Sequence, residues 1–464
     1  MIGRIFEQQE LMRISNSEES EFVMIYGRRR VGKTYLVREF FDDKFTFSCT
    51  GIAKGDKAEQ LANFRSDLDR YTNETHPILK SWFEAFNSLR SIVEKSKRKR
   101  KVIFLDEVPW MHTQKSDFLK AVEHFWNAFA CPRHDVVLIV CGSSASWMVK
   151  KMVNDKGGLH NRITLPLKIL PFTLNETREY LVSRKIRWDE KTIAECYMAL
   201  GGIPYYLKML DRRLSLAQNM DRMFFSSKAL LGNEFDNLYA SLFKDSQQYV
   251  KIVEILSKKK VGFTRDEIIK KGKFKDGGNV SEKLDDLVEC GFVRKYDSRG
   301  KVGMLFQLSD FFTMFYYQFV KKGSFGDEDY WMHTQGTAAY NTWKGLSFER
   351  LCFAHLQQMK HALGVDGVLT KAFAYYSDKT QIDMILERND RNVNIIEMKY
   401  CDGSYTLTAK EVEKMKTRKD IVSKLYRKRM AFSIVMVTTE GVVQNQYSSE
   451  MIQRTVRLND LFKD

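Results

Sequence analysis

The chain has 464 residues, of which 44% are hydrophobic and 29% charged, and its formal net charge is +16. This length holds about two to four domains, and only 6 prolines and 26 glycines leave little room for long disordered linkers. The seven cysteines are scattered without a CxxC pair, which argues against a zinc site or a disulfide framework and favours a cytoplasmic protein. The positive charge makes nucleic acid a natural partner, although excess lysine and arginine equally serve to solvate helix surfaces.

The N-terminal segment carries charged residues throughout and lacks the apolar centre of a signal peptide. The sequence contains no run of about 18 apolar residues, so we expect no membrane partner. Residues 2–11 begin Ile-Gly-Arg, with Arg4 followed by Glu7 and Leu11, and they lead into a predicted helix. On its own this pattern fits a surface turn equally well.

The stretch 22–41 predicts a strand, a loop bounded by glycines and a helix, in that order. Phe22–Tyr26 is an apolar run typical of a buried strand, and apolar residues recur at helical spacing after Thr34. The loop between them matches the P-loop pattern of Gly, four residues and Gly-Lys-Thr. Its residues are Gly27, Arg28, Arg29, Arg30, Val31, Gly32, Lys33 and Thr34. A chance match would lack the flanking strand and helix.

Each position of this loop has a chemical reason. Gly27 and Gly32 allow the backbone to turn tightly, so that its N–H groups converge on phosphate oxygens. The helix N-terminus adds a partial positive charge that faces the same anion. Lys33 can reach the β and γ phosphates, and the hydroxyl of Thr34 is placed to ligate Mg²⁺. We therefore predict a site for ATP and Mg²⁺.

Residues 101–107, KVIFLDE, are typical of a Walker B strand. Four apolar residues, Val102–Leu105, precede Asp106 and Glu107. At the C-terminal end of such a strand, Asp106 would lie beside the P-loop and hold Mg²⁺ through water. Glu107 would polarise the attacking water as a general base. Adjacent acids are common on protein surfaces, but the four apolar residues before them favour the catalytic interpretation.

Further strands complete the predicted sheet. Val136–Cys141 is one, followed by Gly142, Ser143 and Ser144, and Lys168–Phe172 is another. Residues 1–170 therefore fit a doubly wound, mostly parallel α/β sheet. Helical patterns continue to about residue 240 and fit a helical lid.

The P-loop and Walker B patterns together resemble the AAA+ and STAND-type ATPases. The resemblance implies that the segment around Arg4 packs near the adenine, that Ser143 is the sensor 1 residue, and that Arg162 is an arginine finger. A helix N-cap explains Ser143 equally well, and a structural ion pair explains Arg162 equally well. The sequence leaves open whether Arg162 acts within one chain or across a subunit interface, and whether the chain forms homo-oligomers.

Residues 247–308 predict three helices and two short strands, the pattern of a winged helix-turn-helix. We expect Thr264 to cap the second helix, Asn279 or Ser281 to cap the third, and residues 298–301 to form the turn between the strands. The third helix of such folds often enters the DNA major groove. Here it carries four acids against one lysine. The acids would repel phosphates, which favours a structural or protein-contact role.

The C-terminal region begins with aromatic residues at helical spacing between 311 and 344, which predict core packing. A helix that bears Glu349 follows. The segments Gln381–Glu387 and Val393–Tyr400 are apolar and flank a polar turn. They predict a β-hairpin.

Residues two apart on a strand face the same side, so Glu397 and Lys399 project together and Asp383 comes level with them from the neighbouring strand. Asp383 lies fourteen residues before the Glu-x-Lys of Glu397 and Lys399, and a helical Glu precedes it. This arrangement resembles the PD-(D/E)xK nuclease core. The resemblance implies that Asp383 and Glu397 bind one or two Mg²⁺ ions with support from Glu349. Lys399 would then position the attacking water or stabilise the phosphate. A surface hairpin with a cross-strand ion pair explains the same residues.

The whole chain resembles bacterial and archaeal ATPases that join an ATPase, a winged helix and a C-terminal restriction-endonuclease-like domain of the kind appended to archaeal-type ATPases. The predicted domains are an ATPase core at 1–172, a helical lid at 173–243, a winged helix at 244–310, an aromatic helical connector at 311–344 and a nuclease-like domain at 345–464. The resemblance implies ATP hydrolysis coupled to a Mg²⁺-dependent nuclease, with double-stranded DNA as the partner. The alternative is a nucleotide-controlled switch whose nuclease-like domain binds DNA or a protein partner without cleaving.

Overall fold

The chain divides into two compact units, Met1–Pro171 and Phe172–Asp464, in the computed structural model. The structure describes residues 1–114, 116–153, 159, 161–275, 277–297, 304–323, 326–377, 380–427 and 429–463. Across these residues, no helix combines the length and the apolar character that a membrane crossing requires.

A five-stranded parallel sheet with the order β2-β3-β4-β1-β5 forms the centre of the first unit. Its strands are β1 Glu21–Tyr26, β2 Phe47–Thr50, β3 Lys101–Asp106, β4 Val136–Gly142 and β5 Leu165–Lys168. Every residue of β4 is buried, and so are all but the last of β1, as expected for parallel strands that are covered on both faces. Because β1 pairs with β4 on one side and β5 on the other, the loop after β1 begins between the ends of these two strands at the sheet's carboxyl edge.

The helices of this unit are α1 Ile5–Asn16, α2 Lys33–Phe40, α3 Lys57–Thr72, α4 Trp82–Lys95, α5 Val108–Met111, α6 Phe118–Phe125 and α7 Ala145–Met148. Helix α4 buries one face because its large apolar residues recur three or four positions apart. Its Trp82 packs edge-on against Phe118 of α6, with ring centroids 4.7 Å apart. Phe83, the next residue on α4, lies outside this core, and its side chain is 39% exposed.

Two strands of the sheet differ from the prediction. The strand predicted at Lys168–Phe172 instead spans Leu165–Lys168, where Leu165 and Leu167 are buried and the chain pairs in parallel with β1. Pro171, which has no N–H to donate, lies beyond the strand end. Strand β2 was not predicted, because its four residues Phe-Ser-Cys-Thr carry no periodic apolar signal.

The second unit begins with helices α8 Leu174–Ser183, α9 Glu190–Leu200, α10 Pro204–Leu207, α11 Leu216–Met220 and α12 Glu234–Leu242. A small helical and sheet region follows, composed of α13 Ser246–Ser257, β6 Phe263–Thr264, α14 Arg265–Gly272, α15 Gly278–Glu289, β7 Val293–Asp297 and β8 Met304–Leu308. The three strands form an antiparallel sheet with the order β6-β8-β7. The turn predicted at 298–301 lies outside the described residues.

The predicted cap of α14 is confirmed, since the side chain of Thr264 accepts a hydrogen bond from the backbone N–H of Glu267. The predicted cap of α15 is wrong. That helix begins at Gly278 with Gly277 as its N-cap. Ser281 instead accepts a hydrogen bond from Arg265 Nε at 2.7 Å, and Asn279 accepts one from Lys283. The two side chains that the sequence suggested as caps are therefore used elsewhere, Ser281 in a contact with α14 and Asn279 in a contact within α15.

The remaining helices and strands are α16 Phe311–Phe315, α17 Tyr330–Thr334, α18 Ala338–Ala354, α19 Leu356–Ala362, β9 Thr370–Tyr376, β10 Gln381–Arg388, β11 Asn392–Lys399, α20 Ala409–Ser423, β12 Ala431–Thr438, α21 Gln446–Met451 and β13 Arg454–Arg457. The aromatic residues between 311 and 344 pack as predicted, with Phe315, Trp331 and Trp343 buried together. A second five-stranded sheet has the order β13-β12-β11-β10-β9. The predicted hairpin is confirmed, because β10 and β11 pair antiparallel around a short turn.

Candidate functional site

The loop between β1 and α2 adopts a conformation that needs its glycines. Gly27 has φ +145°, and a Cβ added there would lie 2.3 Å from the carbonyl oxygen of Ile169. Gly32, the N-cap of α2, has φ +93°. A residue with a Cβ would be strained in either of these backbone conformations. The glycines therefore allow the loop to pass close to the chain after β5 and to turn into the helix.

Lys33 and Thr34 begin helix α2 at the carboxyl edge of the sheet. The buried Lys33 donates a hydrogen bond from Nζ to the carbonyl oxygen of Arg28, 2.9 Å away, so the ammonium is folded over the loop itself. The hydroxyl of Thr34 donates to Oδ2 of Asp106 at 2.9 Å. A hydroxyl from the helix and a carboxylate from β3 thus meet at one point, as the two motifs predicted.

Glu107 and Ser143 meet at the same edge of the sheet. Oε2 of Glu107 accepts hydrogen bonds from the backbone N–H of Ser143 at 3.0 Å and from its hydroxyl at 2.9 Å. Glu107 has φ +50°, a conformation that is uncommon for a residue with a side chain. Burial raises the pKa of Glu107 above its ordinary value, against the opposing effects of the Lys33 charge and the bonds from Ser143. Ser143 therefore holds a carboxylate whose affinity for a proton is increased.

Two predicted arginines of the first unit lie in different settings. Arg4 has φ +58° and is buried, and its Nη2 donates to the carbonyl oxygens of Val31 at 3.1 Å and Leu170 at 2.6 Å. It therefore ties the P-loop to the chain that follows β5. Arg162 lies shortly before β5 with an exposed side chain. Arg29 and Arg30 lie partly exposed on the loop, and Arg30 has φ +73°.

The predicted acids of the second unit lie together at the β10–β11 hairpin. Met384 pairs with Ile396, so the same register places Asp383 opposite Glu397. Oδ2 of Asp383 accepts a hydrogen bond from the backbone N–H of Met398 at 3.1 Å. Burial raises the pKa of Asp383 above its ordinary value, and the charges of Glu397 and Glu349 raise it further. We call Glu349, Asp383, Glu397 and Lys399 the carboxylate cluster.

Cations of the chain itself contact this cluster. Lys399 Nζ donates to Oε1 of Glu397 at 2.7 Å, and Arg418 from α20 bonds the other oxygen of the same carboxylate. Lys260, which lies between α13 and β6, donates to Oε1 of Glu349 at 2.5 Å. Burial alone would lower the pKa of Lys399, but Glu397 raises it above its ordinary value. In the described parts of the chain, no group of three or more His, Cys, Asp or Glu is arranged to hold a metal ion.

Family models match two parts of the sequence. Residues 2–210 match an ATPase domain that is found predominantly in Archaea. Residues 312–436 match a family of archaeal and bacterial proteins of unknown function. The first match contains the whole P-loop, the Walker B strand and Ser143. The chain carries an archaeal-type ATPase domain.

Individual proteins are similar over more of the chain. The uncharacterized protein MJECL04 of Methanocaldococcus jannaschii is 26% identical over 444 residues, which cover 92% of this chain and 91% of that protein. The Walker-type ATPase PABY2304 of Pyrococcus abyssi is 17% identical, with a TM-score of 0.49 over 68% of this chain and 95% of that one. The ORC2 protein of Aeropyrum pernix is 15% identical, with a TM-score of 0.43 over 67% of this chain and 91% of that one.

Sequence reasoning found the residues of the ATPase domain that now lie together, because each belongs to a short motif at a strand end. It missed Lys260, which is 89 positions away from Glu349 in the sequence. A run of three lysines, Lys258–Lys260, was the only signal of that contact. Sequence reasoning also missed the hydrogen bond from Arg418 to Glu397.

Proposed function

We propose that the ATPase domain binds ATP with Mg²⁺ and hydrolyses it. The observation that carries this proposal is the 2.9 Å hydrogen bond from Thr34 Oγ1 to Asp106 Oδ2, made directly beside Lys33. A hydroxyl and a carboxylate are oxygen ligands of the kind that Mg²⁺ prefers. The N–H groups at the start of α2 and the ammonium of Lys33 supply positive charge for the phosphates. The residues present therefore fit both the nucleotide and the cation.

The roles follow from this chemistry. Thr34 would ligate the cation and Asp106 would hold it through water, and the bound cation would neutralise charge that develops on the phosphates. Glu107 would take a proton from the attacking water. Its raised pKa makes it a stronger base than an exposed glutamate. Ser143 positions that carboxylate through two hydrogen bonds, which supports a role beside the water. Arg162 stays a candidate for a contact to the γ-phosphate.

Nucleotide binding and phosphate release, measured side by side, test this proposal. We expect Lys33→Ala to abolish ATP binding, and Glu107→Gln to keep binding while losing turnover about 100-fold or more. Lys44→Ala and Glu94→Gln change exposed residues of the same unit and should leave both quantities unchanged. Equal turnover in Glu107→Gln and the unchanged chain would remove the assignment of the base.

For the carboxylate cluster, the arrangement supports the switch more than the nuclease. Both oxygens of Glu397 and one oxygen of Glu349 already bond lysine or arginine of the same chain. A metal ion would have to displace these cations, so the residues as arranged do not fit Mg²⁺. We infer that the domain binds DNA or a protein partner under nucleotide control, and that it does not cleave DNA in this arrangement.

The region of α13–α15 and the three-stranded sheet supports the same view. Its three helices and antiparallel strands fit a winged helix. On the third helix, α15, Asp286 accepts a hydrogen bond from the Tyr249 hydroxyl at 2.7 Å, and Asp285 lies 3.6 Å from Lys295. These acids stabilise the region internally. Such contacts support a structural role for α15, with any DNA contact made elsewhere.

One pair of assays separates the two candidates. Plasmid DNA is incubated with the full chain, Mg²⁺ or Mn²⁺, and ATP or ADP, beside a Lys399→Ala variant. The switch predicts no cleavage under any condition. If its partner is DNA, binding of a labelled duplex should also differ between ATP and ADP, and absence of duplex binding would leave a protein as the partner. Cleavage by the unchanged chain and not by Lys399→Ala would establish the nuclease instead.

A further inference from the structure

A cavity of about 670 Å³ lies in the second unit, next to the carboxylate cluster. This volume is within the range of about 300–1,000 Å³ that small-molecule sites usually have. We call it the lysine cavity. Its apolar lining comes from Leu256, Leu308, Met314, Tyr317, Trp343 and Leu346. A compact molecule with an apolar part could therefore bury that part in it.

The rest of the lining is strongly positive. Six of the sixteen described lining residues are lysine or arginine, and one, Glu254, is acidic. Glu254 is shared by Lys321 at 3.2 Å and Lys258 at 3.8 Å. Lys322 contacts the neutral amide oxygen of Gln318 at 3.4 Å. Lys259 contacts Glu267 at 3.7 Å, and Glu349 lies 2.5 Å from Lys260 and 4.0 Å from Arg350. The six cations therefore face three acids, and the remaining positive charge favours an anionic ligand.

Two aromatic side chains form part of the apolar wall. Tyr317 and Trp343 both line the cavity and are otherwise buried. The ammonium of Lys321 lies 5.1 Å from the centroid of the Tyr317 ring. A flat ring could therefore pack on this wall while an anionic group of the same molecule contacts the lysine beside it.

We propose that the lysine cavity binds a phosphorylated nucleoside, at a site whose lining residues all lie outside the P-loop unit. The phosphates would contact Lys321, Lys322 and Lys258. The base would pack on the aromatic part of the apolar wall. A nucleoside phosphate joins in one small molecule the two properties that the cavity selects: negative charge and a flat ring.

Lys260 connects this cavity to the carboxylate cluster. It lines the cavity and also donates to Glu349 at 2.5 Å. Arg350 lines the same wall, and its Nη2 donates to the carbonyl oxygen of Lys260 at 2.6 Å. One ammonium cannot fully neutralise both Glu349 and a bound phosphate. The ligand therefore competes with Glu349 for Lys260, and this competition, which rests on the proposed switch, would change the charge of the cluster.

The test uses the full chain with Lys33→Ala, so that the P-loop no longer contributes nucleotide binding. Mant-ADP is titrated and its fluorescence anisotropy is followed. We expect saturable binding that weakens at least tenfold when Lys321→Glu and Lys322→Glu are added, since both side chains are exposed. Lys414→Glu with Lys424→Glu changes two exposed lysines of the α20 region by the same total charge and should leave the affinity unchanged.

Two further arms decide the details. Glu349→Gln should strengthen mant-ADP binding several-fold, because it releases Lys260, and an unchanged affinity would overturn the competition. Inorganic pyrophosphate should displace mant-ADP far less well than ADP does, and equal displacement would overturn the nucleoside specificity. No binding to the Lys33→Ala chain, or equal loss in the α20 control, would overturn the site. None of these readouts depends on ATP hydrolysis or DNA binding. A failure of the proposed function can therefore be distinguished from a failure of the proposed nucleotide site in the lysine cavity.

Discussion

The two sites of this chain use the same kinds of side chain in opposite ways. At the P-loop, Lys33 bonds a backbone carbonyl and Asp106 bonds a neutral hydroxyl, so the cation and the acid keep their charges for a ligand. In the carboxylate cluster, Glu397 and Glu349 bond Lys399 and Lys260 directly. The first arrangement is ready for an anion and a metal ion. The second already has its charges balanced internally.

The difference shows why residue types alone do not define a site. Both regions offer carboxylates beside a lysine at strand ends. What separates them is whether another part of the chain has supplied the counter-charge, which depends on contacts between residues far apart in sequence. Variants that remove backbone freedom or single partners should therefore affect the two regions differently.

The largest effect is expected from Gly27→Ala, which disrupts the P-loop. The added Cβ would lie 2.3 Å from the Ile169 carbonyl oxygen at φ +145°, so the loop has to move. We expect a loss of about 3 kcal/mol in the unfolding free energy of the first unit, measured by urea denaturation, and loss of ATP binding. Gly345→Ala, in the interior of α18 with open space around it, is the control and should be neutral or stabilising. A Gly27→Ala chain with unchanged stability and binding would contradict the loop geometry.

A buried histidine in the second unit should make that unit sensitive to acid. Leu174 donates its N–H to Nε2 of His355 at 2.9 Å, while Nδ1 bonds the Leu351 carbonyl oxygen at 2.9 Å. One nitrogen accepts and the other donates, so the ring is neutral. Burial lowers the pKa of His355 from 6.5 to about 4.

Because this pKa is lower in the folded chain, the stabilisation is complete above pH 6.5 and is lost as the pH falls toward 4. The expected loss is about 3 kcal/mol in the unfolding free energy relative to His355→Gln, measured by urea denaturation at a series of pH values. His134→Gln, at an exposed histidine of the first unit, serves as the control and should not alter the pH profile. An identical pH profile for His355→Gln and the unchanged chain would disprove the neutral ring.

The variant Lys260→Ala tests the ion pair between Lys260 and Glu349 of the carboxylate cluster. The variant removes the ammonium that lies 2.5 Å from Glu349, which is 11% exposed, and leaves the more distant Arg350 guanidinium at 4.0 Å. We expect a loss of about 2 kcal/mol in unfolding free energy, less than for a fully buried pair because Lys260 is partly exposed. Adding Glu349→Gln should recover more than half of that loss in a double-mutant cycle. Additive losses would mean that the two side chains do not stabilise each other.

The smallest expected effect distinguishes two adjacent serines of the ATPase domain. Ser143→Ala removes the hydroxyl bond to Glu107 but keeps the backbone one. Turnover should fall about tenfold with unchanged ATP affinity, because only the orientation of the base is affected. Ser144→Ala should leave turnover unchanged. The reverse result would transfer the positioning role to Ser144.

The sequence was informative where a site is built from neighbouring residues. The P-loop, the Walker B strand and the β10–β11 hairpin each follow from residues within a few positions of one another, and the structure places all three as expected. Strand β5 was misplaced because its position depends on pairing with β1, which periodicity does not encode. The cap of α15 was misassigned because Arg265, from another helix, uses Ser281.

The charge balance of the cluster could not be predicted for the same reason. Lys260 reaches Glu349 and Arg418 reaches Glu397 only after the second unit has folded. The sequence predicted the acids and Lys399 from their spacing. It could not show which cations would already be bonded to them.

Counting bound Mn²⁺ by electron paramagnetic resonance, with and without a non-hydrolysable ATP analogue, tests the contrast between the two sites most directly. The account predicts one ion per chain, present only with the analogue, lost in Asp106→Asn and unaffected by Asp383→Asn. A second ion, bound without nucleotide and lost in Asp383→Asn, would contradict it.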